Sequence, residues 1–197
     1  MVNLLTALKL ENTKIDIRPE WRAGGPDYRQ TLRSAAQKSI EEHARGVQSW
    51  VVPNNLLQIF TDLNQPPQAP GLTCSISHCP LAGGFVFALN AKYQLGLDLE
   101  NAKNVKSEIV MRISTPHEVE TAPSPAILWT AKEATFKSLL GPHQPAVLSA
   151  VRLVNWQQLA PGIWLFTSDI QGLSSAQLQG VVQQEKDLIV GLSRFSS

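Results

Sequence analysis

The chain has 197 residues, 43% of them hydrophobic, enough for a sizeable core in one large domain or two small lobes. Seventeen basic against sixteen acidic residues leave a net charge of +1, so nothing in the balance calls for nucleic acid or an anionic membrane, and any anion site must be local. No stretch approaches the roughly 20 apolar residues of a membrane span, and the opening MVNLLTALKLENTKIDIRPEW has no Ala-x-Ala-like cleavage site, which predicts a cytoplasmic protein.

In chain order, Pro26-Asp27 opens a helical pattern in which Leu32, Ala35, Ala36, Ile40 and Ala44 share one stripe, closed near Gly46. The segment Asn54–Gly71, with Pro66, Pro67 and Pro70, reads as a loop bordering a cleft. Cys74–Ser77 and Phe85–Leu89 then read as strands joined through the Gly83-Gly84 turn. Two nearby cysteines, Cys74 and Cys79, lack the second pair of a zinc site and are expected to be reduced. Ser77-His78 falls at a strand end, where backbone amides, a hydroxyl and an imidazole can meet a phosphate; the plainer reading is a structural histidine, and no third member of a hydrolase triad is evident.

Tyr93–Glu100 alternates apolar and polar residues near its end, so as a strand it points Asp98 and Glu100 to one face, with Cα atoms roughly 6.6 Å apart. That pair suits one hard cation with oxygen ligands, or else is an ordinary solvent-facing strand edge. Val105–Ile113 and Pro125–Leu140 read as helices, the second with Ser124 as N-cap, Pro125 at the first position and Gly141-Pro142 as its stop. At roughly 100° per residue, Trp129, Glu133, Phe136, Lys137 and Leu140 share a side, and Ala131, Ala134, Thr135 and Ser138 fall opposite. Glu133 and Lys137 are either a helix-stabilising pair or charges held beside a cleft. Val147–Val154, Ile163–Ile170 and Leu188–Phe195 read as strands. The chain divides into halves, 1–103 and 104–197, alike in layout but without a residue-level repeat; periodicity alone supports an α+β fold.

Three segments in order, Ser75-Ile76-Ser77-His78, Gly96-Leu97-Asp98-Leu99-Glu100 and Trp129–Lys137 (WTAKEATFK), resemble the 4′-phosphopantetheinyl transferase family, particularly its longer, surfactin-synthetase-activating branch. The resemblance covers Cys74 to Leu140 well and the flanks loosely. It implies two similar α+β lobes in one chain that imitate a dimer, with the active site in the cleft between them. The implied reaction moves the phosphopantetheine arm of coenzyme A onto a serine of an apo acyl or peptidyl carrier protein and releases 3′,5′-adenosine bisphosphate. A monomer is expected, since a single-chain pseudo-dimer has less need of a partner.

By the same resemblance, Asp98, Glu100 and Glu133 would hold Mg2+, or Mn2+, on the pyrophosphate. Glu133 is the first candidate to deprotonate the carrier serine, directly or through water on the metal, with Glu100 as the other choice. Lys137 would contact the leaving phosphate, and Ser77 and His78 the 3′-phosphate or pyrophosphate. Lys132 would meet the outer phosphates or solvate the rim, and Trp129 would pack and fix the helix. Relatives carry a Gly-Lys-Pro motif where this chain reads Asn64-Gln65-Pro66, so a neutral amide replaces a cation and Arg22 or Arg29 would compensate. Lys103, Lys106, Met111 and Arg112 are candidates to receive the acidic carrier, or form an ordinary solvated helix face. The competing expectation is a catalytically silent homologue that binds coenzyme A or the carrier. A magnesium-dependent nucleotide hydrolase has less support, because the chain has no phosphate-cradling G-x-x-x-x-G-K-[ST] loop.

Overall fold

The computed structural model describes residues 4–25, 27–47, 50, 53, 56–63, 65–139, 143–170, 172–174 and 176–196. The elements are α1 (Leu4–Ala7), β1 (Thr13–Arg18), α2 (Tyr28–Ala44), α3 (Leu56–Thr61), β2 (Leu72–His78), β3 (Gly83–Leu89), β4 (Tyr93–Asn101), α4 (Ser107–Ile113), α5 (Pro116–Thr121), α6 (Pro125–Ser138), β5 (Arg152–Ala160), β6 (Ile163–Asp169), β7 (Leu178–Glu185) and β8 (Leu188–Ser196). They form two antiparallel sheets, β1-β3-β2 and β4-β8-β7-β6-β5, which makes the fold mixed α+β. Among the described residues no helix is long and apolar enough to cross a membrane.

Alternation along the strands sorts side chains into layers. In β3, Phe85, Phe87 and Leu89 pack against Leu32, Ala36 and Ile40 of α2, whereas Val86 and Ala88 face Leu95, Leu97 and Leu99 of β4. Ile189 and Phe195 of β8 pack with Ile127, Leu128 and Ala131 of α6, whereas Val190 and Leu192 face inward between the sheets. The order of layers is therefore α2, three-stranded sheet, five-stranded sheet, α6. Both long helices bury one stripe on the sheet beside them.

The sheets meet along an unusual seam. β4 is the edge of its sheet, and its outward amides at Leu95, Leu97 and Leu99 would be unpaired. They donate instead to the hydroxyls of Thr73 (2.9 Å), Ser75 (2.9 Å) and Ser77 (3.1 Å), which alternate along one face of β2. A ladder of side-chain oxygens replaces the backbone ladder, so β4 is capped without merging the sheets.

Several expectations are corrected here. β4 pairs with β8, so the division between the two sheets falls after β3. The segment read as a loop between residues 54 and 71 carries α3, whose Leu56 and Phe60 are buried against α2. The strand placed at Val147–Val154 begins with a 3-10 turn at Leu148–Ala150 and continues to Ala160, its register shifting between Val154 and Gln157. β1, α5 and β7 were not anticipated. Pro26, Asn54, Asn64, Leu140 and the Gly141-Pro142 stop lie outside the described residues.

Candidate active site

The site is built where α6 lies on β4. Ser124 caps α6 by accepting from the Ile127 amide, and Pro125 occupies its first turn, as the sequence predicts. The small-residue side is the one that packs down: Ala131, Ala134, Thr135 and Ser138 are buried. Gly96 and Gly191 make the close approach possible, since a Cβ on Gly96 would meet the Ala134 carbonyl oxygen at 1.9 Å and one on Gly191 would meet that of Thr130 at 2.9 Å. Gly191 is also the cross-strand partner of Asp98. The opposite side of the helix, with Trp129, Glu133, Phe136 and Lys137, is left half-buried at the border of the cleft.

Asp98 is only 4% exposed, and its Oδ1 accepts from Lys137 Nζ at 2.6 Å and Ser77 Oγ at 3.0 Å. Its Oδ2 is buried without a hydrogen-bond partner. A buried carboxylate oxygen left unpaired is costly and calls for a reason. Glu100, two residues along the same strand, accepts at Oε1 from the Trp129 indole N–H at 3.1 Å. Trp129 therefore packs, as expected, and also aims a carboxylate across the boundary between helix and strand. Burial, then the charge of Asp98, pushes the Glu100 carboxyl up; Trp129 and Lys137 oppose this, and Glu133 adds to it. The Glu133 carboxyl is pushed up by burial and by Asp98, with Lys137 opposing. The three acids thus share one electrostatic neighbourhood in which Lys137 is the balancing cation.

Among the described residues no three His, Cys, Asp or Glu side chains are grouped so that they could hold a metal ion as they stand. The donor chemistry nonetheless fits a hard divalent cation: three carboxylates from two elements, two of them raised by burial and then by the Asp98 charge, and one buried oxygen with no partner.

Beside the acids, a cavity of ≈ 400 Å³ is lined by Arg33, Pro66, Pro67, Ile76, Glu133 and Lys137. It has a smaller neighbour of ≈ 160 Å³, lined by Arg29, Leu32, Arg33, Leu63, Ile76 and His78. The proline loop therefore borders the cleft. Burial, then the charges of Arg29 and Lys137, holds the His78 imidazole below its usual value, so it stands neutral among cations. Its ring meets Tyr28 edge-on at 4.7 Å, and Arg29 Nε donates to the Tyr28 hydroxyl at 3.0 Å. Arg22 is exposed; the next residue, Ala23, donates its amide to the Cys79 carbonyl, which places Arg22 at the end of β2 just beyond His78.

Two sequence-based roles are not met. Lys132 does not reach phosphates or solvent: it is fully buried, pairs with Glu118 Oε1 at 2.7 Å and donates to the Val151 carbonyl. The 100° between Lys132 and Glu133 turns it inward toward α5 and the start of β5, where Glu118, the last member of a Thr115 capping box, awaits it. Ser77 does not offer its hydroxyl to a ligand. That hydroxyl donates to Asp98 and accepts from Leu99 N and Lys137 Nζ, which uses its one hydrogen and both lone pairs.

Arg33 was missed. It reaches from α2 to the carbonyls of Ile59, Asp62 and Gln65, at 3.4, 2.6 and 2.6 Å, and so tethers the loop that carries Gln65. Its signal was its spacing four residues from Arg29, one turn along the same helix. At the other end of the site, Glu100, Val105, Lys106, Ile109 and Trp129 line a cavity of ≈ 110 Å³. Lys106, Met111 and Arg112 are exposed nearby, and Lys103 is paired with Asp187 at 2.6 Å.

The chain matches no family model, and no curated protein matches it either.

Proposed function

We propose that this protein is a magnesium-dependent 4′-phosphopantetheinyl transferase that moves the phosphopantetheine arm of coenzyme A onto a serine of an apo carrier protein. The observation that carries the reading is the electrostatic coupling of Asp98, Glu100, Glu133 and Lys137, together with an Asp98 Oδ2 that is buried and unpartnered. These residues belong to the segments whose order and spacing resemble that family. The two-lobed pseudo-dimer of the longer branch is part of the proposal. It is supported by the layering, in which each sheet carries its own long helix on its outer face.

In this reading the carrier serine oxygen attacks the phosphorus that bears the pantetheine arm, and the bond from that phosphorus to the bridging oxygen of adenosine bisphosphate breaks. Asp98, Glu100 and Glu133 would hold the divalent cation, which supplies charge neutralisation on the pyrophosphate. Glu133 takes the serine proton. Lys137 spends two N–H groups on Asp98 and Ser77 and keeps one for the leaving phosphate oxygen. His78, Arg29 and Arg33, around the smaller cavity, are a cationic and N–H-bearing wall suited to the remaining phosphate. Trp129 fixes Glu100, and Lys132 with Glu118 fixes the helix from behind.

The test is to incubate the protein with coenzyme A, Mg2+ and a panel of apo carrier proteins and to weigh each carrier by mass spectrometry. A gain of one phosphopantetheine on at least one carrier, lost in Asp98→Ala, supports transfer. Unchanged carriers throughout, with coenzyme A still bound, overturn it in favour of a silent binder.

A further inference from the structure

The hydroxyl ladder gives one residue a job that its neighbours do not have. Thr73, Ser75 and Ser77 each accept one β4 amide, and for Thr73 and Ser75 that amide is the bond to β4. Ser77 alone goes further, donating to Asp98 Oδ1 at 3.0 Å and accepting from Lys137 Nζ at 3.3 Å. It is 6% exposed, so no water competes freely for these bonds. Its three partners come from β4 and α6, the elements that supply the acids.

We propose that Ser77 is the positioning residue of the acidic site. Its hydroxyl, itself pinned by the Leu99 amide, clamps Oδ1 of Asp98 and the Lys137 ammonium together, and so leaves Oδ2 as the carboxylate's free oxygen. This rests on the reading that Asp98 holds the divalent cation. Three features support it. The ladder sets the orientation of the Ser77 oxygen independently of Asp98, because the Leu99 bond belongs to the seam. The donated O–H ends on one carboxylate oxygen only, which fixes the plane of the group and not merely its position. The same oxygen receives the Lys137 ammonium, so Oδ1 is fully engaged and the divalent ion is directed to Oδ2. An outer-shell hydroxyl of this kind orients the ligand without touching the ion.

The experiment compares Ser77→Ala, Ser77→Thr and, as seam controls, Ser75→Ala and Thr73→Val. Each is read by thermal unfolding, by Mn2+ titration followed by electron paramagnetic resonance without coenzyme A, and by kcat and KM for carrier modification. Every alanine or valine variant removes one acceptor from a buried β4 amide, so all three lose thermal stability, Ser77→Ala the most because its bonds to Asp98 and Lys137 go too. Only Ser77→Ala weakens Mn2+, by about 10- to 100-fold, the usual range for losing an outer-shell partner, and lowers kcat with KM for coenzyme A little changed. Ser77→Thr keeps a hydroxyl, as Thr73 does in the same ladder, and restores both. The proposal alone is overturned if Ser77→Ala binds Mn2+ as the parent does, or if Ser75→Ala weakens it equally. A parent that binds no Mn2+ overturns the proposal and the metal reading together. A parent that binds Mn2+, weakened only in Ser77→Ala, but modifies no carrier supports the role of Ser77 and overturns the transferase.

Discussion

Gly96→Ala probes whether α6 rests on β4 as closely as the site requires. The added Cβ would lie 1.9 Å from the Ala134 carbonyl oxygen and 2.5 Å from the Ser138 amide nitrogen, both backbone atoms of α6. Neither can rotate aside, so the helix must lift by about 1.5 Å to reach the 3.4 Å at which ordinary contact begins. Overpacking that a flexible side chain can absorb costs roughly 1–3 kcal/mol, and a rigid helix puts this substitution at the upper end, about 3 kcal/mol. For a chain of this size that is a fall in Tm of roughly 6–12 °C. The lifted helix also carries Glu133 and Lys137 away from Asp98, and a misplacement near 1 Å costs about 10²-fold in turnover. Differential scanning calorimetry gives the first number and carrier modification the second. Gly25→Ala, whose Cβ would meet nothing within 4 Å, is the control and melts within about 1 °C of the parent. A Gly96→Ala protein that melts with the parent and retains activity refutes the close approach and, with it, the assembly of acids and lysine over β4.

Other substitutions test the parts separately. Lys132→Met strands the buried Glu118 carboxylate and costs about 3–5 kcal/mol in urea unfolding; adding Glu118→Gln recovers part of it, because the stranded charge is gone, although the amide has one acceptor oxygen where the Thr115 and Leu153 amides each met one of the carboxylate's two. Burial pushes the Glu118 carboxyl up, but bonds from Lys132, Thr115 and Leu153 outweigh it and hold the group below its ordinary value. The stability it contributes is therefore complete above that ordinary value and is lost as pH falls through the lower, folded one, so Glu118→Gln flattens the acid limb of a Tm-against-pH curve. In the absence of divalent cations, Glu100→Gln and Glu133→Gln each raise Tm at neutral pH, since burial and the Asp98 charge make both carboxylates costly to ionise; a lowered Tm in both contradicts the crowding. Lys137→Ala slows carrier modification by about 10²–10⁴ in kcat, whereas a change confined to coenzyme A affinity makes its role binding.

Local periodicity carried much of this fold. The α2 stripe of Leu32, Ala36 and Ile40 and the caps of α6 behave as their spacing predicts, because each depends on neighbours within two turns. β1 is equally legible in the alternation of Lys14-Ile15-Asp16-Ile17-Arg18. β7 is harder, since Gly180 and four glutamines between 177 and 184 dilute its pattern, and it is fixed by pairing with β6 and β8 on either side. The candidate acids stand out in the sequence because alternation on β4 and the turn of α6 each place their charges on one face. Which basic group serves which acid was not legible. Lys132 and Lys137 differ by five positions on one helix, yet one meets Glu118 from α5 and the other Asp98 from β4. The role of Ser77 was likewise hidden, because it arises only when the two sheets meet edge to face and the seam assigns each hydroxyl an amide.

The central claim is that Asp98, Glu100 and Glu133 bind one divalent cation against a diphosphate. Anomalous diffraction at the manganese edge, from crystals grown with Mn2+ and coenzyme A, tests it most directly. The account predicts a single peak bounded by Asp98 Oδ2 and the carboxylates of Glu100 and Glu133, with the pyrophosphate on its open side. A fully bound coenzyme A with manganese elsewhere, or none, contradicts it.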